Sequence, residues 1–163
     1  MTLDELLARE GIRDTLAKYN VSGDRLRIDD YVSCFTEDGI MEADHPDPAF
    51  AFRYAGRAAI RAWQQRWLDQ TMSGERVHRA SFARHHLSTC KIDLLASGGS
   101  GPDGAQVRTY WVAWTDVGPD HAGYYLDTFR KVGSDWLIAH RRVREDWRSP
   151  GSLFGNPIAE TRG

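Results

Sequence analysis

The sequence predicts an α+β domain in which helices come first and an antiparallel meander follows. Three observations support this. Apolar residues recur at helical spacing through roughly the first 70 residues. Strand-type alternation takes over from Arg84, and no repeat or linker divides the 163 residues. Helices followed by an antiparallel meander pack on one face of a curved sheet.

The elements follow in order. Thr2-x-x-Glu5 has the form of a capping box opening the first helix. Ile12, Leu16 and Tyr19 make its apolar stripe, and Gly23 is placed to end it. Ile28, Val32 and Phe35 repeat the spacing, which predicts a second helix from Arg25 to Phe35. Thr36-Glu37-Asp38-Gly39 reads as a turn and Ile40 to Ala43 as a short strand. Asp44-His45-Pro46-Asp47-Pro48 is a loop, because two prolines preclude regular pairing. A third helix follows Gly56 and carries Ile60, Trp63 and Trp67 on its apolar face, and Thr71 to Arg79 is a polar connection. Four strands then span Arg84 to Leu95, Gln106 to Thr115, Ala122 to Val132 and Trp136 to Trp147. Ser97 to Gly104 is a flexible loop, Val117-Gly118-Pro119-Asp120 a turn, and Gly133-Ser134-Asp135 a tight hairpin. The domain thus covers residues 1–147, and residues 148–163 form an extended tail rich in Gly, Pro and Ser.

Composition narrows the function classes. A net charge of -2, with arginines scattered among acids, argues against a nucleic-acid or anionic-membrane surface. No apolar run is long enough to span a bilayer, and the polar, acidic start Met1-Thr2-Leu3-Asp4-Glu5 does not read as a signal peptide. Cys34 and Cys90 lack metal or redox spacing and are expected to be reduced and buried, as in a cytoplasmic protein. Asp44, His45 and Asp47, interrupted by prolines in a loop, read as a solvated turn, so no metal is expected. The 11% aromatic content suits either a packed core or an apolar pocket for a small molecule.

The strongest functional signal is Arg84-His85-His86-Leu87-Ser88. Histidine titrates near neutrality, so it can give or take a proton there. Adjacent strand residues face opposite sides, so one imidazole points inward and needs a polar partner. Alternation leaves open which one, since His86 shares its parity with apolar Cys90, Ile92 and Leu94. Near the end of the chain, Arg141 falls among Leu137, Ala139 and Val143, while Tyr125, Asp127 and Phe129 share a face of the preceding strand. If Val132 pairs with Trp136, Asp127 lies opposite Arg141. Such a pair either holds the sheet together or positions Arg141 at a pocket floor to bind a ligand oxygen.

The order of these elements and motifs resembles the NTF2-like superfamily, in particular its SnoaL-like domains. The resemblance rests on Ile12-x-x-Thr15-Leu16-x-x-Tyr19, Gly23-Asp24, Asp30-Tyr31-x-x-x-Phe35-x-x-Asp38-Gly39 and Gly56-Arg57-x-x-Ile60. It continues through Arg84-His85-His86-x-Ser88, Gly123-Tyr124-Tyr125-x-Asp127 and Trp136-x-Ile138-x-x-Arg141, up to about Trp147. It implies a cone in which a strongly bent, mostly antiparallel sheet wraps three helices around a deep apolar cavity. It also implies a catalytic pair, Asp24 and His85, in which the carboxylate orients and charges the imidazole that removes a proton beside a leaving group. Tyr19 matches a tyrosine of dehydratase-like members, and Arg141 an arginine that lines the dehydrochlorinase cavity. Tyr125, Trp111, Trp67 and Met41 are expected beside the substrate. The Arg-His-x-x-Ser spacing of the family favours His85 over His86. The competing role for Asp24 is a cap on the second helix. One departure is plain: dehydratase-like members carry a further aspartate on the next strand, whereas Tyr110-Trp111-Val112-Ala113-Trp114 has no acid until Asp116.

The resemblance therefore implies a cofactor-independent lyase for a small apolar, aromatic or polycyclic substrate. Loss of water or a retro-aldol C–C cleavage would use these parts, as would an isomerase or cyclase. A noncatalytic partner, like the β-subunit of a ring-hydroxylating dioxygenase, shares the fold and the Arg-His motif. A homodimer or homotrimer is expected.

Overall fold

The computed structural model describes residues 1–45, 51–73, 80–96, 98 and 101–154. Helix α1 (Leu3–Asp24) opens on the expected capping box: Thr2 Oγ1 accepts from the Glu5 amide, and the Glu5 carboxylate accepts from the Thr2 amide. Gly23 lies within α1 rather than after it. A Cβ there would stand 3.2 Å from the Tyr31 ring, so the glycine serves close helix packing. The chain leaves α1 through Leu26 in the left-handed region (φ 52°), and helix α2 (Ile28–Ser33) has six residues, fewer than the spacing predicts. Phe35 departs from the helix because its backbone joins a parallel ladder opposite Ile138, and tertiary pairing overrides local periodicity.

Strand β1 (Phe35–Ala43) absorbs the expected turn at Thr36–Gly39, where its ladder is irregular. Strand β2 (Phe52–Ala55) pairs antiparallel with β1; four residues carry too little alternation to announce it in the sequence. Helix α3 (Arg57–Ser73) buries Ile60 fully and runs into the expected polar connection. Residues 46–50, which include Pro46, Asp47 and Pro48 of the expected loop, lie outside the described residues, as do 74–79 and 155–163.

The meander comprises β3 (Arg84–Leu95), β4 (Gly104–Thr115), β5 (Gly118–Val132) and β6 (Asp135–Arg148). Among the described residues, six strands form one sheet ordered β2-β1-β6-β5-β4-β3, antiparallel at every junction except β1–β6. Helix α1 packs on β6 and β3, and α3 on β1 and β2. The architecture is thus α+β, with the three helices against an open, mostly antiparallel sheet. Ile12, Leu16, Phe35, Phe129 and Ile138 sit in the core between the two. No helix among the described residues is long and apolar enough to cross a membrane.

Register shifts decide which side chains face the helices. In β3 the shift between Leu87 and Cys90 puts His85 on the same side as Cys90, Ile92 and Leu94 despite opposite parity. The β5–β6 hairpin closes one residue tighter than assumed, with Val132 opposite Asp135 rather than Trp136. A shift between Thr128 and Phe129 then restores the register, and Asp127 does lie opposite Arg141. Consequently Trp136 and Ile138 are buried near Arg141, whereas Leu137 and Ala139 are only half-buried. Strand β5 begins at Gly118 (φ +91°), so the expected turn contracts to Asp116-Val117.

Candidate active site

The end of α1 meets the start of β3, and the meeting joins Asp24 to His85. Asp24 Oδ1 lies 2.6 Å from His85 Nδ1, and Oδ2 accepts the His85 backbone N–H at 3.0 Å. An ionised carboxylate can only accept, so Nδ1 carries a proton, and in the uncharged ring the lone pair falls to Nε2. Nε2 has no hydrogen-bond partner among the described residues. The Asp24 side chain is 8% exposed and that of His85 27%, so the imidazole is the part that reaches outward. Helix α2 has no side-chain cap, which removes the capping role for Asp24. His86 is exposed on the opposite face, against Trp114.

Aromatic rings connect the dyad to Arg141. Trp111 lies 5.9 Å from the His85 ring and stacks on Tyr125 at 5.7 Å. The Arg141 guanidinium sits between Tyr125 and Tyr19, 4.1 and 3.9 Å from their centroids. Asp127 grips it through Nε (2.8 Å) and Nη2 (2.6 Å), and both side chains are fully buried. Burial alone would pull the guanidinium down, but the carboxylate more than offsets this and holds Arg141 above its ordinary value, as a cation. Among the described residues its Nη1 has no partner, nor do the buried Trp111 Nε1 and Asn20 Nδ2. Buried donors are rarely left unpaired, and these three offer hydrogen bonds to an acceptor such as a ligand oxygen.

The Tyr19 hydroxyl accepts from Tyr31 at 2.7 Å and points its own proton at Met41 Sδ, 3.7 Å away. Sulfur is a weak acceptor, so this proton is available to a stronger one. Tyr31, which also reaches Met41 Sδ (3.3 Å), is not signalled as a site residue by the sequence, because a tyrosine in a helical segment looks like core. Burial pushes the Tyr31 and Tyr125 hydroxyls well above their ordinary value, so both stay protonated. Trp67 stands one ring further out, against Trp63 at 6.3 Å, and Trp63 in turn meets Tyr31 at 6.2 Å.

A second imidazole–carboxylate pair escapes sequence reasoning altogether. His121 Nδ1 lies 2.8 Å from Asp120 Oδ1. Neighbours along a regular strand point apart, but the ladder slips between Ala113 and Trp114, leaving Asp120 as the extra residue, and both side chains are buried. Asp120 also accepts from Thr115, Ser152 and the Leu153 amide, at 3.2, 2.6 and 2.7 Å. Burial would raise its pKa; these donors, Ser152 foremost, more than offset it and hold it below the usual value. His121 is pulled below its ordinary value, chiefly by burial.

A surface hollow of about 420 Å³ opens elsewhere, lined by β1, β2 and β6 residues including Glu42, Phe52, Arg53 and Arg142. Within it Glu42 pairs with Arg53 and Arg142, and it contains none of the dyad residues. Asp44 pairs with Arg144, and among the described residues no three His, Cys, Asp or Glu side chains gather as metal ligands. Burial pushes the Cys34 thiol up to about 11, which makes it a poor nucleophile at neutral pH.

Three solved structures from Novosphingobium aromaticivorans share this fold. A candidate scytalone dehydratase is 22% identical with a TM-score of 0.69, over 91% of each chain. An NTF2-like protein with a cystatin-like fold is 21% identical, TM-score 0.68, over 92% of this chain and 89% of the other. The β-subunit of a candidate aromatic-ring-hydroxylating dioxygenase is 18% identical, TM-score 0.67, over 94% and 99%. No curated protein matches the sequence. The model of the SnoaL-like domain matches residues 4–142, nearly the whole of the helices and sheet described above, and the chain therefore belongs to the SnoaL-like domain family.

Proposed function

We propose that this protein is a cofactor-independent lyase that eliminates water, or cleaves a C–C bond in the retro-aldol sense, from a small aromatic or polycyclic substrate. The supporting observation is the two-point grip of Asp24 on His85, which orients the imidazole and leaves Nε2 outward and free. In elimination, Nε2 takes a proton from carbon beside an electron-withdrawing group. Asp24 stabilises the resulting imidazolium. The Arg141 Nη1–H and the Tyr19 hydroxyl are the donors suited to the oxyanion that develops. A positioned base of this kind contributes roughly 10²–10⁴-fold.

The test is a panel of aryl β-hydroxy ketones, with enone formation followed by absorbance. Asp24→Asn and His85→Gln, each checked for an unchanged thermal midpoint, should lower kcat by about 10²-fold or more. Full turnover in both folded variants would refute the dyad. The likeness to a dioxygenase β-subunit favours a second reading, a noncatalytic partner subunit. That reading requires a larger iron–sulfur protein to copurify, and both substitutions to leave the assembled activity intact.

A further inference from the structure

We infer that His121 is a further substrate-contacting residue and that, with Trp111, it selects a substrate bearing a hydroxyl group next to the carbon that His85 deprotonates. The inference rests on the proposed role of His85 as base.

Three rings pack against one another. His85 and His121 are 6.1 Å apart and nearly perpendicular, His85 and Trp111 5.9 Å, and Trp111 and His121 5.5 Å. Each imidazole is tied through Nδ1 to its own aspartate, so each keeps Nε2 for something else. No residue described here bonds the Nε2 of His121, and Trp111 Nε1 is a buried donor without an acceptor. One empty acceptor and one empty donor beside a base are what a hydroxyl requires, since its oxygen accepts while its hydrogen donates. A chloride or other aprotic leaving group would leave the acceptor unused.

Anchoring the chain end does not account for His121. Residues 149–154 fold back over β5, but Asp120 holds them directly through Ser152 and Leu153, and the Ser149 amide bonds the Asp120 carbonyl. Phe154 closes one side of the His121 ring at 4.9 Å, shielding it from water. The charged or titratable groups acting on His121 are Asp120, His85, Arg148 and Glu145, and burial dominates them all in favouring the uncharged ring, which is the accepting form.

The step balances without a co-reactant. His85 Nε2 takes the carbon-bound proton, and the C–H electron pair becomes the new double bond. The C–O bond breaks with its pair on oxygen, and the His85 imidazolium returns its proton to that oxygen as water leaves. His121 and Trp111 hold the oxygen throughout and gain no proton.

The test uses the full-length protein, 4-methylphenol as the hydroxyl probe, and 4-methylanisole as the matched probe without O–H. Asparagine keeps a donor where Nδ1 stands but has nothing at Nε2, so His121→Asn preserves the bond to Asp120. The expected result is that 4-methylphenol shifts the imidazole NMR resonances of both His85 and His121 in the wild type. His121→Asn should then weaken 4-methylphenol about tenfold, the worth of one hydrogen bond at a buried site, and leave 4-methylanisole unchanged. If only His85 responds, or if the variant weakens both probes equally, the hydroxyl-selecting role is refuted and the Asp24–His85 base is untouched. If neither imidazole responds, the probe does not bind beside these rings, and the role of His121 is refuted.

Discussion

Asp127→Asn isolates the buried charge of Arg141. Both side chains are 0% exposed, and the carboxylate makes two hydrogen bonds of 2.8 and 2.6 Å to the guanidinium. Removing one partner of a buried pair costs about 3–5 kcal/mol, because the remaining charge is left without compensation. Tyr19 and Tyr125 flank the guanidinium at 3.9 and 4.1 Å and remain in the variant. Their desolvated cation–π contacts, about 2 kcal/mol each, place the loss at the lower end, about 3 kcal/mol. In a chain of this size each kcal/mol moves the midpoint by about 2–4 °C, so Tm should fall by roughly 6–12 °C. Urea denaturation followed by tryptophan fluorescence, alongside calorimetry, measures both quantities. The double variant Asp127→Leu/Arg141→Met, which removes both charges, should recover most of the loss. A loss below about 1 kcal/mol for Asp127→Asn would show that Arg141 is neutralised by something other than this pair, and the reasoning would fail.

Gly123→Ala should be severely destabilising, by about 3 kcal/mol, since a Cβ there would lie 1.9 Å from the Arg144 carbonyl oxygen at a register shift; the denaturation midpoint reads this directly. Acidification should destabilise the fold. His121 lies below its ordinary value of 6.5, so the unfolded chain binds the proton first, and stability is intact above about pH 6.5 and lost as pH falls through the lower folded value. Asp120, also depressed, extends the loss further toward acid. The denaturation midpoint should therefore fall from pH 7 to pH 5, and fall less in His121→Asn; an equal fall in both would contradict the burial of His121.

Much of the fold was legible because periodicity is a local property of the chain. The helical stripe Ile12–Leu16–Tyr19 and the four alternating segments after Arg84 each mark an element that forms where expected. The errors arose where pairing with a distant strand decided the backbone. Phe35 has helical spacing, yet it joins β6, and β2 has only four residues. The candidate site was only partly legible for the same reason. Asp24 and His85 stand 61 positions apart, and motif resemblance rather than spacing linked them. Asp127 and Arg141 were paired by register counting that assumed a regular hairpin; two compensating irregularities left the pair intact. Asp120 and His121 were illegible because simple alternation points adjacent residues apart, and a β-bulge is not announced by residue type.

The most direct measurement of the central claim is the protonation pattern of His85 by ¹⁵N NMR of the uniformly labelled protein at neutral pH. In the uncharged ring, a proton on Nδ1 and a bare Nε2, reverting toward the Nε2–H form in Asp24→Asn, is the predicted result. A proton on Nε2 in the wild type, or a ring indifferent to Asp24, would contradict it.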